Sequence, residues 1–194
     1  MRIIGGTHRG TALAAVGTGD AAAHLRPTTD RVRESLFNVL QGGRFGDPIR
    51  GAIVLDLFAG TGALGLEALS RGAAHVTFVD SGRVAQKLIR DNVGKLRRQT
   101  DTTLIGTDIG KLPAGPPCDL IFLDPPYGQG LGGKALTAAT AGGWVSPGAL
   151  IIWEENTPQI APPGFAALDQ RRYGDTWITF MRRNQTTDAP SGGS

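Results

Sequence analysis

The chain has 194 residues, of which 40% are hydrophobic and 19% charged, with a formal net charge of +3. That length suits one domain with a sizeable core and excludes two comfortable ones unless one is small. No apolar run approaches the roughly 18 residues of a membrane helix, the start Met-Arg-Ile-Ile-Gly-Gly lacks the apolar centre of a secretion signal, and a lone Cys118 can form neither an internal disulfide nor a cysteine metal site.

The expectation is therefore a cytoplasmic protein with no membrane association and no metal, and with Cys118 as a small core residue. Charge is uneven along the chain. Residues 1–50 hold seven arginines (Arg2, Arg9, Arg26, Arg31, Arg33, Arg44, Arg50) against four acids (Asp20, Asp30, Glu34, Asp47). An arginine-weighted leader suits phosphate contacts, and a solvated basic face without a partner is the alternative.

In chain order, residues 1–25 carry Gly5, Gly6, Gly10, Gly17 and Gly19 between short apolar segments, the spacing of one or two small hairpins. Arg26-Pro27-Thr28 opens a helix reaching residue 41, with Thr28 as cap and Asp30 in the first turn. Val32, Leu36, Val39 and Leu40 form its apolar face, Arg31, Glu34, Ser35 and Asn38 another side, and Gly42-Gly43 ends it. From Gly51 onward strands and helices alternate, which argues for parallel strands with helical crossovers. Strands are expected at 53–57, 75–79, 102–105, 118–123 and 149–153, and helices at 62–70, 82–96 and 134–141. Strand 118–123 is apolar on both faces, so it belongs at the centre of the sheet. In helix 82–96 the apolar positions are Val84, Leu88 and Leu96. Residues 128–133 form a flexible loop, strands 165–172 and 176–181 a hairpin, and 184–194 a disordered tail.

Chemistry concentrates at strand ends, where open α/β sheets bind ligands. Strand 53–57 runs into Gly60, Gly62 and Gly65, a G-x-G-x-x-G turn that lets a nucleotide-like ligand approach the backbone. Asp80 follows at the distance from which an acid reaches ribose hydroxyls, and Asp108 ends the next strand. Asp56, just before the turn, repels phosphate and attracts a cation. A unit charge pair at about 4 Å and an effective dielectric of about 20 is worth roughly 4 kcal/mol in either direction. A sulfonium cofactor without phosphate, S-adenosyl-L-methionine, fits that better than a dinucleotide, and the alternative for Asp56 is a local cap of the turn.

The second informative stretch is Asp124-Pro125-Pro126-Tyr127 at the end of a buried strand. Two prolines fix φ and remove two donors, leaving a rigid array of acceptors. The Asp124 carboxylate and the Pro125 carbonyl can grip both N–H groups of a base's exocyclic amine, draw its nitrogen toward tetrahedral geometry and free its lone pair for a methyl donor. Asp124, or water beside it, then takes the surplus proton, while Tyr127 stacks on the unpaired base.

Leu55-Asp56-Leu57-Phe58-Ala59-Gly60-Thr61-Gly62-Ala63-Leu64-Gly65 and Asp124-Pro125-Pro126-Tyr127 resemble the cofactor and catalytic motifs of class I amino-methyltransferases. Arg2-Ile3-Ile4-Gly5-Gly6-x-x-Arg9-Gly10, the stretch from Arg26 to Asn38, and Arg172-Tyr173-Gly174-Asp175-Thr176 resemble one branch, the bacterial 16S ribosomal RNA guanine-N2 methyltransferases of the small subunit. The resemblance implies a Rossmann-like α/β fold, a mostly parallel seven-stranded sheet with an antiparallel last strand. It implies an RNA-holding N-terminal hairpin over 1–25, a methyltransferase domain over 26–183 led by helix 26–41, and a monomer acting on 16S RNA in an assembled or assembling small subunit. Cofactor contacts are then expected at Asp56, Phe58, Ala59, Gly60, Thr61, Gly62, Asp80, Ser81, Asp108 and Ile109, with S-adenosyl-L-homocysteine as product. Catalytic contacts are expected at Asp124, Pro125, Pro126 and Tyr127, and RNA contacts at Arg2, Arg9, Arg26, Arg31 and Arg33. From the residues alone, a DNA methyltransferase acting on adenine N6 or cytosine N4, an NAD-dependent oxidoreductase, and a non-catalytic RNA-binding module stay open.

Overall fold

The computed structural model describes residues 1–15 and 29–185. The expected RNA contact Arg26, the expected cap Thr28, residues 16–25 of the expected hairpin and most of the expected tail lie outside them. Among the described residues no helix is long and apolar enough to cross a membrane.

Seven strands form one sheet: β1 (Ile53–Leu57), β2 (His75–Val79), β3 (Thr102–Ile105), β4 (Cys118–Leu123), β5 (Val145–Glu155), β6 (Phe165–Tyr173) and β7 (Thr176–Arg183). Their order is β3-β2-β1-β4-β5-β7-β6, with β4 in the middle as its two apolar faces require. Strands β1 to β5 pair in parallel, and β7 runs antiparallel to both β5 and β6, so the Rossmann-like sheet with an antiparallel last strand is the one observed. Side chains alternate between two cores. On one face Val54, Leu120, Phe122, Ile152 and Phe180 meet α1 (Asp30–Gln41), α2 (Ala63–Ser70) and α3 (Arg83–Leu96). On the other Leu55, Ile121, Leu123 and Trp153 meet α4 (Leu131–Ala141).

Helix α2 is buried at every position. Its outer side is covered by the N-terminal segment, which doubles back so that Arg2 bridges Ala12 and the Ile3 N–H donates to the Thr11 carbonyl (3.0 Å). Gly6 (φ +75°) crosses α2 so closely that a Cβ there would stand 1.8 Å from the Ser70 carbonyl oxygen. Polar anchors hold the crossing. The Glu67 carboxylate accepts the N–H groups of Ile4 and Gly5, each at 2.8 Å, and the Arg71 Nε at 2.7 Å. The Ser70 hydroxyl donates to the Gly5 carbonyl (2.6 Å) and accepts the His8 N–H (2.9 Å). Asn92 on α3 accepts the Ala14 N–H (2.6 Å) and donates to the carbonyls of Ala14 (3.1 Å) and Thr61 (2.9 Å).

Several expectations are corrected. Arg33 is not an RNA contact: its side chain is 0% exposed, 3.0 Å from Asp30 Oδ1 and 3.8 Å from Glu67 Oε2, and it donates to the Arg2 carbonyl. It stands one position from Val32 but on the face shared by Leu36, Phe37 and Leu40, and its charge is answered by the buried carboxylate. Helix α1 is capped by Thr29, whose hydroxyl accepts the Val32 N–H (3.3 Å). Val84 is 42% exposed, and α3 instead buries Ala85, Leu88, Ile89, Asn92, Val93 and Leu96. Helix α4 starts at Leu131, inside the expected loop, because Gly132 seats its backbone on Trp153, where a Cβ would come within 2.3 Å of the indole. Strand β5 runs four residues earlier and two later than expected, from Val145 to Glu155.

Glu67→Ala removes the acceptor of two leader N–H groups and of Arg71 Nε, and leaves buried Arg33 with Asp30 as its remaining counter-charge. Such a loss costs about 3–5 kcal/mol. Urea unfolding is expected to show a drop of that size, with the segment before residue 15 cut by protease at concentrations that leave the native protein intact.

Candidate active site

The glycine turn begins where β1 ends. Phe58 has φ +60°, outside the usual range for a residue with a Cβ, and Gly60 (φ +57°) and Gly62 (φ +77°) continue the left-handed geometry. Four of the N–H groups in residues 58–65 are committed to the protein. Ala59 donates to the Val79 carbonyl (3.1 Å), Gly60 to Asp80 Oδ2 (2.9 Å), Gly62 to the Ala59 carbonyl (2.7 Å) and Gly65 to Asp56 Oδ2 (2.9 Å). A pyrophosphate cradle needs such groups turned toward the ligand, and these four are already spent on the protein.

Asp56 lies on the α2 face of β1 and is 1% exposed. The local cap is what the structure shows, in place of an open carboxylate facing a ligand. Gly65 permits it: a Cβ there would sit 2.5 Å from Phe78 and 3.0 Å from the Asp56 carboxylate. Burial raises the Asp56 pKa to about 8, partly offset by the Gly65 hydrogen bond, and the Asp80 charge pushes it further up. Asp80, half-buried at the end of β2, accepts Gly60 with one oxygen and Gly82 with the other (2.8 Å), and burial raises its pKa as well. Each oxygen retains a second lone pair. Asp108 follows β3, exposed, and caps a short 3-10 turn by accepting the Gly110 N–H (2.8 Å). Ser81 is exposed, whereas Ile109 packs into the α4-side core. Thr61 turns its hydroxyl toward Met1 Sδ (3.7 Å), away from a ligand role for that group.

Strand β4 delivers the second half. Leu57 of β1 is in register with Leu123, and the Asp124 N–H reaches the Leu57 carbonyl at 3.4 Å, so the Asp124–Tyr127 stretch abuts the glycine turn. Pro125 is buried and Pro126 exposed. The Tyr127 hydroxyl donates to Glu154 Oε1 (2.7 Å) and lies 3.2 Å from Thr176 Oγ1. Burial and the neighbouring Glu154 charge raise the Tyr127 pKa, so its phenol stays protonated and is not a base. Glu155 accepts the N–H groups of Gly128 (3.2 Å) and Asn156 (2.9 Å). Glu154 and Glu155 are buried residues that sequence reasoning passes over. Their signal is present in the two acids that end the apolar run Ile151-Ile152-Trp153, as Asp80 and Asp124 end theirs.

The donor set answers what the turn can hold. Two carboxyl groups stand in or beside it and take the N–H groups of Gly60 and Gly65, and residues 56–66 contain no lysine or arginine. That suits a cationic, phosphate-free nucleoside and fits S-adenosyl-L-methionine. Of the expected RNA arginines, Arg2, Arg9 and Arg31 are exposed.

The family described as Conserved hypothetical protein 95 matches residues 1–182. The chain is 34% identical over 181 residues to a Haemophilus influenzae protein named Ribosomal RNA small subunit methyltransferase D, covering 90% of this chain and 89% of that one. It is 40% identical over 164 residues to the Escherichia coli protein of the same name, covering 84% and 78%. The solved structure of yhhF from Escherichia coli superposes with a TM-score of 0.81 at 34% identity, over 96% of this chain and 99% of that one.

Because Asp56 holds its proton to higher pH when folded than when unfolded, the native state binds more protons between about pH 4 and pH 8 and loses relative stability as pH rises through that window. Asp56→Asn removes this dependence. Its melting temperature relative to the native protein is expected to rise between pH 5 and pH 9, which parallel thermal scans would measure; equal offsets at both pH values would contradict the assignment.

Proposed function

This chain belongs to the family described as Conserved hypothetical protein 95, and on that footing we propose that it transfers a methyl group from S-adenosyl-L-methionine to small-subunit ribosomal RNA, at the exocyclic N2 of a guanine. The observation that carries the reading is the abutment of Asp124–Tyr127 on a glycine turn whose Gly60 and Gly65 N–H groups are taken by Asp80 and Asp56. The relatives' names support ribosomal RNA as substrate, and the resemblance of the leader and of Arg172–Thr176 supports guanine N2. When bound, the cofactor supplies an electrophilic methyl on sulfonium.

Asp80 would hold the ribose, the buried Asp56 would fix the turn through the Gly65 N–H, and Asp108 with the backbone of Ile109 would border the adenine. On the substrate side, the Asp124 carboxylate and the Pro125 carbonyl accept the two N–H groups of the target amine. Gripped this way, the nitrogen gives up conjugation with the ring, and its lone pair points away from both acceptors. The methylated amine carries one proton too many, which Asp124 or an adjacent water accepts. Tyr127, its hydroxyl tied to Glu154 and Thr176, presents a fixed ring face on which a flipped-out base stacks. Exposed Arg2, Arg9 and Arg31 meet phosphates, in a protein acting as a monomer in the cytoplasm. An NAD-dependent reading finds no support in a turn whose N–H groups serve Asp56, Asp80 and neighbouring carbonyls.

Asp124→Asn is expected to slow methyl transfer by about 10²–10³-fold, the scale of removing one preorganised polar group from a reacting centre, while S-adenosylhomocysteine binding by calorimetry stays near the native value. Labelled cofactor offered with small subunits, free 16S RNA and duplex DNA identifies the substrate, and sequencing of the labelled RNA identifies the base. Normal turnover by the variant, or label entering DNA alone, would sink the proposal.

A further inference from the structure

On the α1 side of the sheet, a groove of about 510 Å³ runs between α1 and β6. Ser35 and Asn38 form one wall, Arg171 and Tyr173 the other, and Arg44 closes one end. The groove is linked to the site by a short chain of contacts. Tyr173 pairs with Thr176 across the β6–β7 turn, and Thr176 is the residue whose hydroxyl meets Tyr127. From the Asp124–Tyr127 array, then, the next surface on this face is the groove.

Its chemistry differs from that of a small-molecule pocket, which encloses its ligand in apolar and aromatic walls. Here, beside Val39 and Gly42, the walls are hydroxyl, amide, guanidinium and phenol, the side-chain types that bind sugar and phosphate in nucleic-acid complexes. One Asp169 oxygen lies 3.2 Å from Arg44 Nη1 and 3.0 Å from Arg171 Nε, so two positive charges share one negative. The shared carboxylate fixes both guanidinium planes. Each has five N–H donors and spends only one or two on Asp169 and on the Leu168 carbonyl, which leaves donors for phosphate. One turn further up α1, exposed Arg31 and Glu34 add one charge of each sign.

We infer that the groove between α1 and β6 receives the RNA strand flanking the methylated nucleotide, holding its sugar-phosphate backbone while the base enters the Asp124–Tyr127 array. The inference rests on the proposed RNA methyltransferase activity and adds to it a substrate path on the face opposite α4.

The test uses the full chain and a 16S RNA fragment containing the mapped nucleotide. Arg44→Gln combined with Arg171→Gln should weaken RNA binding about tenfold at physiological salt and flatten the plot of log affinity against log salt by about 0.7 for each phosphate no longer neutralised. Because those changes also dismantle the Asp169 pair, Asn38→Glu serves as a second variant. Glutamate is a better helix former than asparagine, so folding is preserved while an acid enters the groove. It should weaken RNA binding at least threefold, with S-adenosylhomocysteine affinity unchanged. Native affinity and salt slope in both variants, with the native protein methylating RNA, would overturn the groove alone. Failure of the native protein to bind or methylate RNA would overturn the active-site reading and the groove with it. Weakened binding to assembled subunits together with native binding to the naked fragment would make the partner a ribosomal protein and overturn the RNA assignment.

Discussion

The architecture depends on how one buried carboxylate is satisfied. Glu67 sits mid-way along a helix that is buried at every position and, Ser70 apart, otherwise apolar, where a carboxyl group without hydrogen bonds would be untenable. Its oxygens take the N–H groups of Ile4 and Gly5 and the Arg71 guanidinium, with Arg33 behind them. The helix that follows the glycine turn is therefore completed by the first residues of the chain. Asn92 closes the same circuit from α3 by joining Ala14 to the Thr61 carbonyl inside the turn. The leader is part of the scaffold that shapes the site as well as a neighbour of it.

The site follows a common rule, that acids at strand ends are first consumed by backbone. Asp56 holds Gly65, Asp80 holds Gly60 and Gly82, Asp108 holds Gly110, and Glu155 holds Gly128. Loops that would otherwise be loose are thereby pinned to the sheet within a few residues of where each strand stops. Pinning also bears on what can bind: the amides of Gly60 and Gly65, already given to carboxyl groups, are not available to a phosphate.

Much of this is legible in the sequence. Buried parallel strands write themselves as short apolar runs, so β1 to β4 stand where periodicity puts them, and glycine and proline punctuation locates the two turns of the site. What escapes notice depends on residues distant along the chain. Arg33 looks like one more basic residue of the leader until Glu67, 34 positions on, is brought beside it. Helix α4 begins early because Trp153 supplies a flat surface for Gly132, a pairing no local pattern announces. The charge of Asp56 marks it out, but nothing local says that the carboxyl faces Gly65 and not solvent. Glu154 and Glu155 stay hidden for a simpler reason: they end a strand that runs longer than its apolar core.

The order of the sheet has one more effect. Strand β6 is one of its two outer edges, β3 being the other, with a row of backbone groups that another chain could pair with. A register shift between Ala167 and Asp169 breaks the regularity of that edge, and Asp169, Gln170, Arg171 and Arg172 follow it with polar or charged side chains on both faces. A strand so furnished resists edge-to-edge association, so the residues that border the groove also help keep the folded protein from polymerising through this edge.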